Sequence, residues 1–154
     1  MFTGHKKEID NHTRCYQSAL DYLARREHSR LELINKLKLK PFSEDVDLHS
    51  LCDNLEASNY LSDKRFAEIF VRSCISRGQG EIKIRYELRQ RGVKDDLIDA
   101  VLATEGTDWL ALAREQREKR FGREIPKDFK ERARQSRFLI GKGFSGDILN
   151  AVFR

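Results

Sequence analysis

The segment SRGQGEIKIRYELRQRG, residues 76–92, contains the glycine pair in this chain that is best placed to cradle a phosphate. A P-loop needs GxxxxGK followed by Ser or Thr, and a dinucleotide loop needs GxGxxG after a strand. Neither string occurs, and the apolar spacing ahead of Gly78 is typical of an amphipathic helix. We therefore expect Gly78 to end one helix and Gly80 to begin the next, without a nucleotide site.

Nucleophilic and metal-binding residue types are present but scattered. Cys15, Cys52 and Cys74 form no CxxC pair, so we expect small buried thiols rather than a zinc site or a disulfide framework. The four histidines show no HExxH arrangement, although a Cys–His pair that meets only in space stays open. His28 is expected at a helix end, where a positive charge suits the dipole. The sequence predicts no catalytic residues, no cofactor and no metal.

Basic residues offer a different kind of chemistry, the binding of an acidic partner. On a helix predicted over residues 81–90, Arg85 and Arg89 lie four apart and are flanked by Tyr86 and Ile82. An aromatic ring beside guanidinium groups suits phosphate contact and stacking. The alternative is a solvated helix face with Ile82 and Tyr86 at the edge of the core, and the sequence alone does not choose between them.

Similar basic sets recur along the chain, a pattern that suits a partner with a regularly repeating backbone. The candidate contact residues, chosen by charge, are Arg25, Arg26, Arg30, Arg72, Arg77, Lys83, Arg85, Tyr86, Arg89, Arg132, Arg134 and Arg137. Residues 43–63 hold six acidic side chains and no Lys or Arg, whereas residues 72–91 and 114–137 are mainly basic.

Length and composition bound the class of protein. The 154 residues, 36% of them charged, suffice for one domain or a short row of repeats. The formal net charge of +5 favours acidic partners, with nucleic acid the commonest, over a merely solvated basic surface. Since no apolar run approaches the ~20 residues that span a bilayer, and the first residues do not form a signal peptide, a cytoplasmic protein without membrane contact is expected.

The elements that must position these residues are predicted to be helices throughout. Proline occurs only at Pro41 and Pro126, and apolar residues recur at spacings of three and four, which predicts an all-α fold. Ser43, Ser62 and Ser145 are expected to cap helices. Gly92 and Gly143 are expected to end helices with positive φ.

An internal repeat organises these helices. The strings LKLKPFSEDVDLHSL (37–51), LRQRGVKDDLIDAVL (88–102) and LIGKGFSGDILNAVF (139–153) align without a gap at a spacing of 51 residues. Such a period predicts three tandem three-helix repeats that stack into an elongated, curved body. The expected boundaries are an N-terminal tail at 1–9 and repeats at 10–60, 61–105 and 106–154.

The middle of the chain resembles the RecX family, the bacterial regulators of the RecA recombinase. The matching positions are Tyr60, Leu61, Asp63, Arg65, Phe66, Arg77, Gly78, Gly80, Ile84, Glu87, Leu88 and Gly92. The upstream string ALDYLARREHSRLELINKL and the later strings DWLALAREQREKRFG and RFLIGKGFSGDIL fit as well. Pro41 stands where the other two repeats have a turn glycine, which leaves the geometry of the first turn open.

This resemblance implies a curved row of three-helix repeats without catalytic residues or cofactors. It also implies a monomer that binds RecA and the RecA filament on single-stranded DNA, with direct contact to single- or double-stranded DNA as a further property. The expected effect is inhibition of filament growth, ATP hydrolysis, strand exchange and coprotease activity. The alternative is a stand-alone helical DNA-binding protein. Changing Arg85 and Arg89 to Glu is expected to weaken inhibition and leave melting nearly unchanged.

Overall fold

The computed structural model describes residues 9–154, so the predicted tail at 1–9 lies, apart from Ile9, outside the described residues. Across that range the chain forms nine α-helices and no strand, which confirms the all-α prediction. The helices are α1 (Asn11–Arg25), α2 (Arg30–Lys38), α3 (Leu48–Ala57), α4 (Asp63–Ser76), α5 (Glu81–Gln90), α6 (Asp95–Glu105), α7 (Trp109–Phe121), α8 (Phe129–Gly141) and α9 (Gly146–Val152). We call α1–α3, α4–α6 and α7–α9 the first, second and third triplets.

The chain divides into two compact units, and the division falls within α4. The first unit extends to Phe66, and the second runs from Ala67 to Arg154. The first unit therefore holds the first triplet and the first turn of α4. The rest of α4 and all later helices belong to the second unit.

The core of the first unit includes one face of α1, along which apolar residues recur at spacings of three and four. Ala19 is fully buried, and Tyr16, Leu20 and Leu23 pack against the same apolar cluster. Ser29 begins α2 with a complete capping box, in which its hydroxyl accepts from the Glu32 amide at 3.1 Å and the Glu32 carboxylate accepts from the Ser29 amide. These contacts satisfy amides that would otherwise lack a partner at the start of the helix.

The prediction that Ser43 caps a helix is wrong. Residues Pro41–Ser43 form a 3₁₀ turn, and the buried Ser43 hydroxyl donates to the Lys40 carbonyl at 2.8 Å. The next helix, α3, starts later because Asp47 caps it by accepting from the Ser50 amide at 3.1 Å. The cap lies ten residues after Leu37, whereas Lys94 and Ser145 each lie six residues after the equivalent leucine. The first repeat thus carries four extra residues, and the gapless alignment fails after its proline.

The other helix-end predictions are confirmed. The Ser62 hydroxyl accepts from the Arg65 amide at 3.1 Å, and the Ser145 hydroxyl accepts from the Ile148 amide at 3.4 Å. Gly92 and Gly143 have φ of 80° and 97°, as expected for residues that end helices in the left-handed region.

One apolar residue of α4 does not face the core as its spacing indicates. Helical spacing in the sequence predicts one apolar face made of Phe66, Ile69, Phe70 and Cys74. Phe66 and Cys74 are buried, whereas Ile69 is 53% exposed and Ala67 and Val71 are fully buried in its place. Helical spacing allows either arrangement, and packing decides which side chains face inwards.

The third triplet contains a buried arginine that the sequence analysis did not single out. Arg117, near the end of α7, is 2% exposed. Its guanidinium donates to the carbonyls of Gly122 and Glu124 at 3.3 and 3.1 Å and to the Arg123 carbonyl at 3.1 Å. It also lies 3.4 Å from the Gln135 amide oxygen on α8. Because an unsatisfied buried charge is costly, these bonds fix the path of the α7–α8 connection.

Candidate functional site

The glycine pair of residues 76–92 forms a joint between the second and third triplets. The Gly80 amide donates to the Lys142 carbonyl at 2.7 Å, and the Ile82 amide donates to the Gly143 carbonyl at 3.0 Å. The Lys142 ammonium closes the joint by donating to the Arg77 carbonyl at 2.9 Å. Backbone donors that a phosphate would need are thus occupied by protein carbonyls. Gly80 begins α5 as expected, and Gly78 has a φ of 75°.

Arg85, predicted to face a partner, is engaged inside its own triplet. Its guanidinium donates to Asp99 on α6 at 2.6 Å and to Glu81 on α5 at 3.2 Å. The hydrogen bond to Asp99 and that to Glu81 outweigh the effect of burial and raise the pKa of Arg85. Reversing the charge of Arg85 would place a carboxylate between two others. These ion pairs instead predict a lower melting midpoint for such a change than the sequence alone led us to expect.

Two further candidates on the second triplet also have carboxylate partners. Arg89 donates to Asp95 at 2.7 Å, and Arg72 on α4 donates to Glu105 at the end of α6 at 2.7 Å. Both arginines remain more than half exposed. Exposed pairs of this kind contribute at most about 1 kcal/mol each, so a stronger acidic partner can displace them.

The side chains that flank Arg85 are exposed rather than part of the core. Ile82 and Tyr86, one helical turn apart on α5, are 55% and 57% exposed. Ile82 and Tyr86 therefore do not pack into the core, and their exposure fits both a solvated face and a surface that contacts a partner. Arg77 and Lys83 have no carboxylate partner among residues 9–154. The second triplet therefore displays a mixed surface of apolar, aromatic and cationic groups.

The candidate arginines on the first triplet differ in whether carboxylates of the same unit already bind them. Arg30 joins α2 to α3 by donating to Asp53 at 2.7 Å and Glu56 at 2.8 Å, and these carboxylates raise its pKa. Arg26 donates to Glu32 at 3.2 Å. Arg25 is exposed and has no carboxylate partner within the described part of the chain. Arg30 thus stabilises the packing of α2 against α3, whereas the guanidinium of Arg25 is available to bind a partner.

The third triplet pairs its candidate arginines with aromatic rings. Arg132 lies 5.0 Å from the centroid of the Phe153 ring. Arg134 lies 4.9 Å from the centroid of Phe121 and also donates to Glu131 at 2.8 Å. Arg137 is exposed, without a carboxylate partner in residues 9–154. The two phenylalanines were not singled out from the sequence. Phe121 lies within the basic segment 114–137, a signal that could have identified it, whereas Phe153 lies 16 residues beyond that segment.

The three thiols and the His28 ring are buried, and burial favours their neutral forms. All three cysteines are buried, and burial raises the pKa of each thiol, that of Cys52 to about 11. His28 is 1% exposed, and burial lowers its pKa, so the expected positive charge at a helix end is wrong. Its Nδ1 lies 3.0 Å from the Arg26 carbonyl, and its Nε2 lies 2.8 Å from the Lys36 ammonium. A neutral ring that donates from Nδ1 and accepts at Nε2 satisfies both contacts.

Within residues 9–154, no group of three or more His, Cys, Asp or Glu side chains is arranged to hold a metal ion. None of the helices in that range has the length and apolar character needed to cross a bilayer.

Comparison with protein families gives three consecutive matches. Residues 15–46 match the model described as RecX, first three-helix domain, residues 62–102 match the second, and residues 107–153 match the third. The three-helix organisation predicted from the repeat is thereby confirmed.

Individual relatives agree with the family models. The regulatory protein RecX of Halorhodospira halophila is 47% identical over 135 residues, which cover 88% of this chain and 83% of that protein. The regulatory protein RecX of Legionella pneumophila is 39% identical over 142 residues, covering 92% and 94%. A crystal structure of a regulatory protein RecX superposes with a TM-score of 0.76 at 26% identity, covering 92% of this chain and 72% of that one. The crystal structure of RecX from Lactobacillus salivarius, at 23% identity and a TM-score of 0.74, covers 92% of this chain and 94% of that one and shares the fold.

Proposed function

This chain belongs to the RecX family, and from that premise we propose that it is a non-enzymatic regulator of the RecA recombinase. In this proposal the protein acts as a monomer in the cytoplasm, in recombination, DNA repair and the SOS response. It binds RecA, alone or in the filament on single-stranded DNA, and inhibits filament extension, ATP hydrolysis, strand exchange and coprotease activity. Its working parts are the repeats at 10–60, 61–105 and 106–154. The observation that carries the proposal is the match of three successive RecX domain models.

The exposed face of α5 supports a protein partner. Ile82 and Tyr86 stand more than half exposed within one turn of each other. Apolar and aromatic side chains that cost little to order are the usual anchors of protein interfaces. Arg89 lies on the next turn, where it forms an exposed ion pair with Asp95. An acidic protein surface can therefore exchange with Asp95 while the two apolar side chains are buried.

The test is the DNA-dependent ATPase of RecA at increasing ratios of this protein, starting below one per RecA. We expect slowing at substoichiometric amounts, because blocking one end of a filament affects many protomers. If the ATPase rate stays unchanged at every ratio, the proposed function is wrong.

A matched pair of variants tests the α5 face. Ile82→Ser with Tyr86→Ala removes two exposed apolar side chains from α5, whereas Leu39→Ser with Tyr60→Ala removes two comparably exposed ones from the first unit. We expect the α5 variant to require several-fold more protein for half-maximal inhibition and the control to behave as wild type. Equal inhibition by both variants would exclude the α5 face as the RecA contact. This test is preferable to reversing the charge of Arg85, because that change breaks ion pairs within the second triplet.

A stand-alone helical DNA-binding protein remains the second candidate. The observation that favours it is the group of exposed or half-buried cations without carboxylate partners in residues 9–154, among them Arg25, Arg77, Lys83 and Arg137. A stand-alone DNA-binding protein should bind a preferred duplex sequence tightly, in a salt-sensitive manner and without RecA. Binding without sequence preference, together with ATPase inhibition, would decide against it.

A further inference from the structure

The net positive charge of the chain resides in one segment of the third triplet. Residues 117–142 contain ten Lys and Arg against four Asp and Glu, a net charge of +6, whereas the whole chain carries +5. The remaining residues together are therefore slightly acidic. Any polyanion that the protein binds through charge is attracted first to this segment.

Within that segment, cations are stacked on a pair of aromatic rings. Phe121 at the end of α7 and Phe138 on α8 meet edge to face, with centroids 5.4 Å apart. The Arg134 guanidinium lies 4.9 Å from the Phe121 centroid, and the Arg120 guanidinium lies 5.1 Å from the Phe138 centroid. The Lys142 ammonium lies 6.0 Å from the Phe138 ring. We call these five residues the cation–ring strip.

The strip is poorly neutralised by the protein itself. Arg120 and Lys142 have no carboxylate partner among the described residues, and only Arg134 has one, Glu131. Lys142 is held in place by its bond to the Arg77 carbonyl. Partial burial and, to a lesser extent, the nearby charge of Lys83 lower its pKa. An anion that bridges Lys83 and Lys142 would relieve this repulsion.

We propose that the cation–ring strip is a binding site for single-stranded DNA, in which the cations contact phosphates and unpaired bases stack on the supported guanidinium groups. Arginine planes and aromatic rings are the surfaces on which proteins stack unpaired bases. A guanidinium already held against a ring loses less freedom when a base covers it. A duplex hides its base faces and offers only phosphates. An acidic protein surface likewise uses the charges but gains nothing from the stacking.

This inference deepens the proposed function, on which it rests for the relevance of single-stranded DNA, yet its test needs no RecA. Failure here would leave the ATPase test unaffected, and failure of the ATPase test would leave this one unaffected. The measurement is fluorescence anisotropy of a labelled oligothymidine with the full chain over a series of salt concentrations. A duplex of the same length and a polyglutamate competitor are run in parallel.

We expect oligothymidine to bind more tightly than the duplex and polyglutamate to compete weakly. Arg120→Gln with Lys142→Gln should weaken oligothymidine binding about tenfold, near the lower end of what one stacked base contributes, with charge loss adding to it. The slope of log affinity against log salt should fall by roughly 0.7 for each cation removed. The control, Lys119→Gln with Lys127→Gln, removes two charges from the same segment outside the strip and should weaken binding much less.

A second variant keeps the proposal testable if the first one perturbs the joint at Lys142. Arg120→Lys retains the charge but removes the planar group, so it should reduce the preference for single strands while leaving the salt slope unchanged. The proposal is overturned if wild type fails to bind oligothymidine at low salt or prefers the duplex. It is also overturned if polyglutamate competes equally, or if the strip variant and its control behave alike.

Discussion

Replacing Gly80 by Ala should weaken the contact between the second and third triplets and lower the stability of the fold. A Cβ at residue 80 would lie about 2.6 Å from the Phe144 amide nitrogen and closer still to the carbonyl group of Gly143. These are backbone atoms, so neither side can yield without moving a turn. The movement would lengthen the bonds from the Gly80 amide to Lys142 and from the Ile82 amide to Gly143, now 2.7 and 3.0 Å.

The size of the effect follows from these contacts. Forcing an extra methyl group into a packed site costs about 1–3 kcal/mol, and each hydrogen bond lost costs about 1 kcal/mol. If the turn moves, the steric clash is relieved but the hydrogen bonds weaken, so the two costs do not add in full. We therefore expect the free energy of unfolding to fall by about 2–4 kcal/mol. For a chain of this length that corresponds to a melting midpoint lower by roughly 5–15 °C.

The assay is urea unfolding followed by circular dichroism, together with hydrogen exchange at the amides of residues 80 and 82. Gly141→Ala is the matched control, because a Cβ there meets no atom within 4 Å and the residue lies in the last turn of α8. That control should be as stable as wild type or up to about 1 kcal/mol more stable. The reasoning is refuted if Gly80→Ala unfolds within about 0.5 kcal/mol of wild type and keeps both amides protected.

Three further predictions concern stability. Because the folded-state pKa of His28 lies below its ordinary value near 6.5, the unfolded chain binds more protons as the pH falls through that value, and the free energy of unfolding should decrease there. His28→Gln should flatten this pH dependence in urea titrations, and a pH dependence unchanged from wild type would contradict the lowered pKa of His28. Arg85→Glu should destabilise by about 1–2 kcal/mol through repulsion from its two former partners, and thermal melting unchanged from wild type would contradict the assigned ion pairs. Arg117→Met should lower the free energy of unfolding by about 2–4 kcal/mol because three carbonyls lose their donor, and calorimetry showing equal stability would contradict that role.

Local sequence signals identified the helices and most of their ends. The capping serines at 29, 62 and 145 each accept a hydrogen bond from an amide three residues later, so a short stretch of sequence is enough to predict them. The prediction for Ser43 failed because Pro41 favours a 3₁₀ turn at residues 41–43 and Asp47, a second residue able to cap, begins the helix instead. The four extra residues of the first repeat were hidden by matching apolar types on either side.

The candidate surface was harder to predict, because charge alone does not show what a side chain touches. The sequence marked Arg30, Arg85 and Arg134 as equivalent cations. The structure places the first two between carboxylates of neighbouring helices, and the third over a phenylalanine ring. The separations along the chain, such as the 14 residues between Arg85 and Asp99, follow no local rule.

The sequence by itself determined the helical class, the threefold repeat and the family, because each depends on residue types at short or regular spacings. Only the tertiary structure decided what residues 76–92 do. Gly80 lacks a side chain because the turn at Gly143, 63 residues later, occupies the space where a Cβ would lie. Such an approach depends on how two triplets pack, and packing is set by the joint fit of many side chains rather than by any one string.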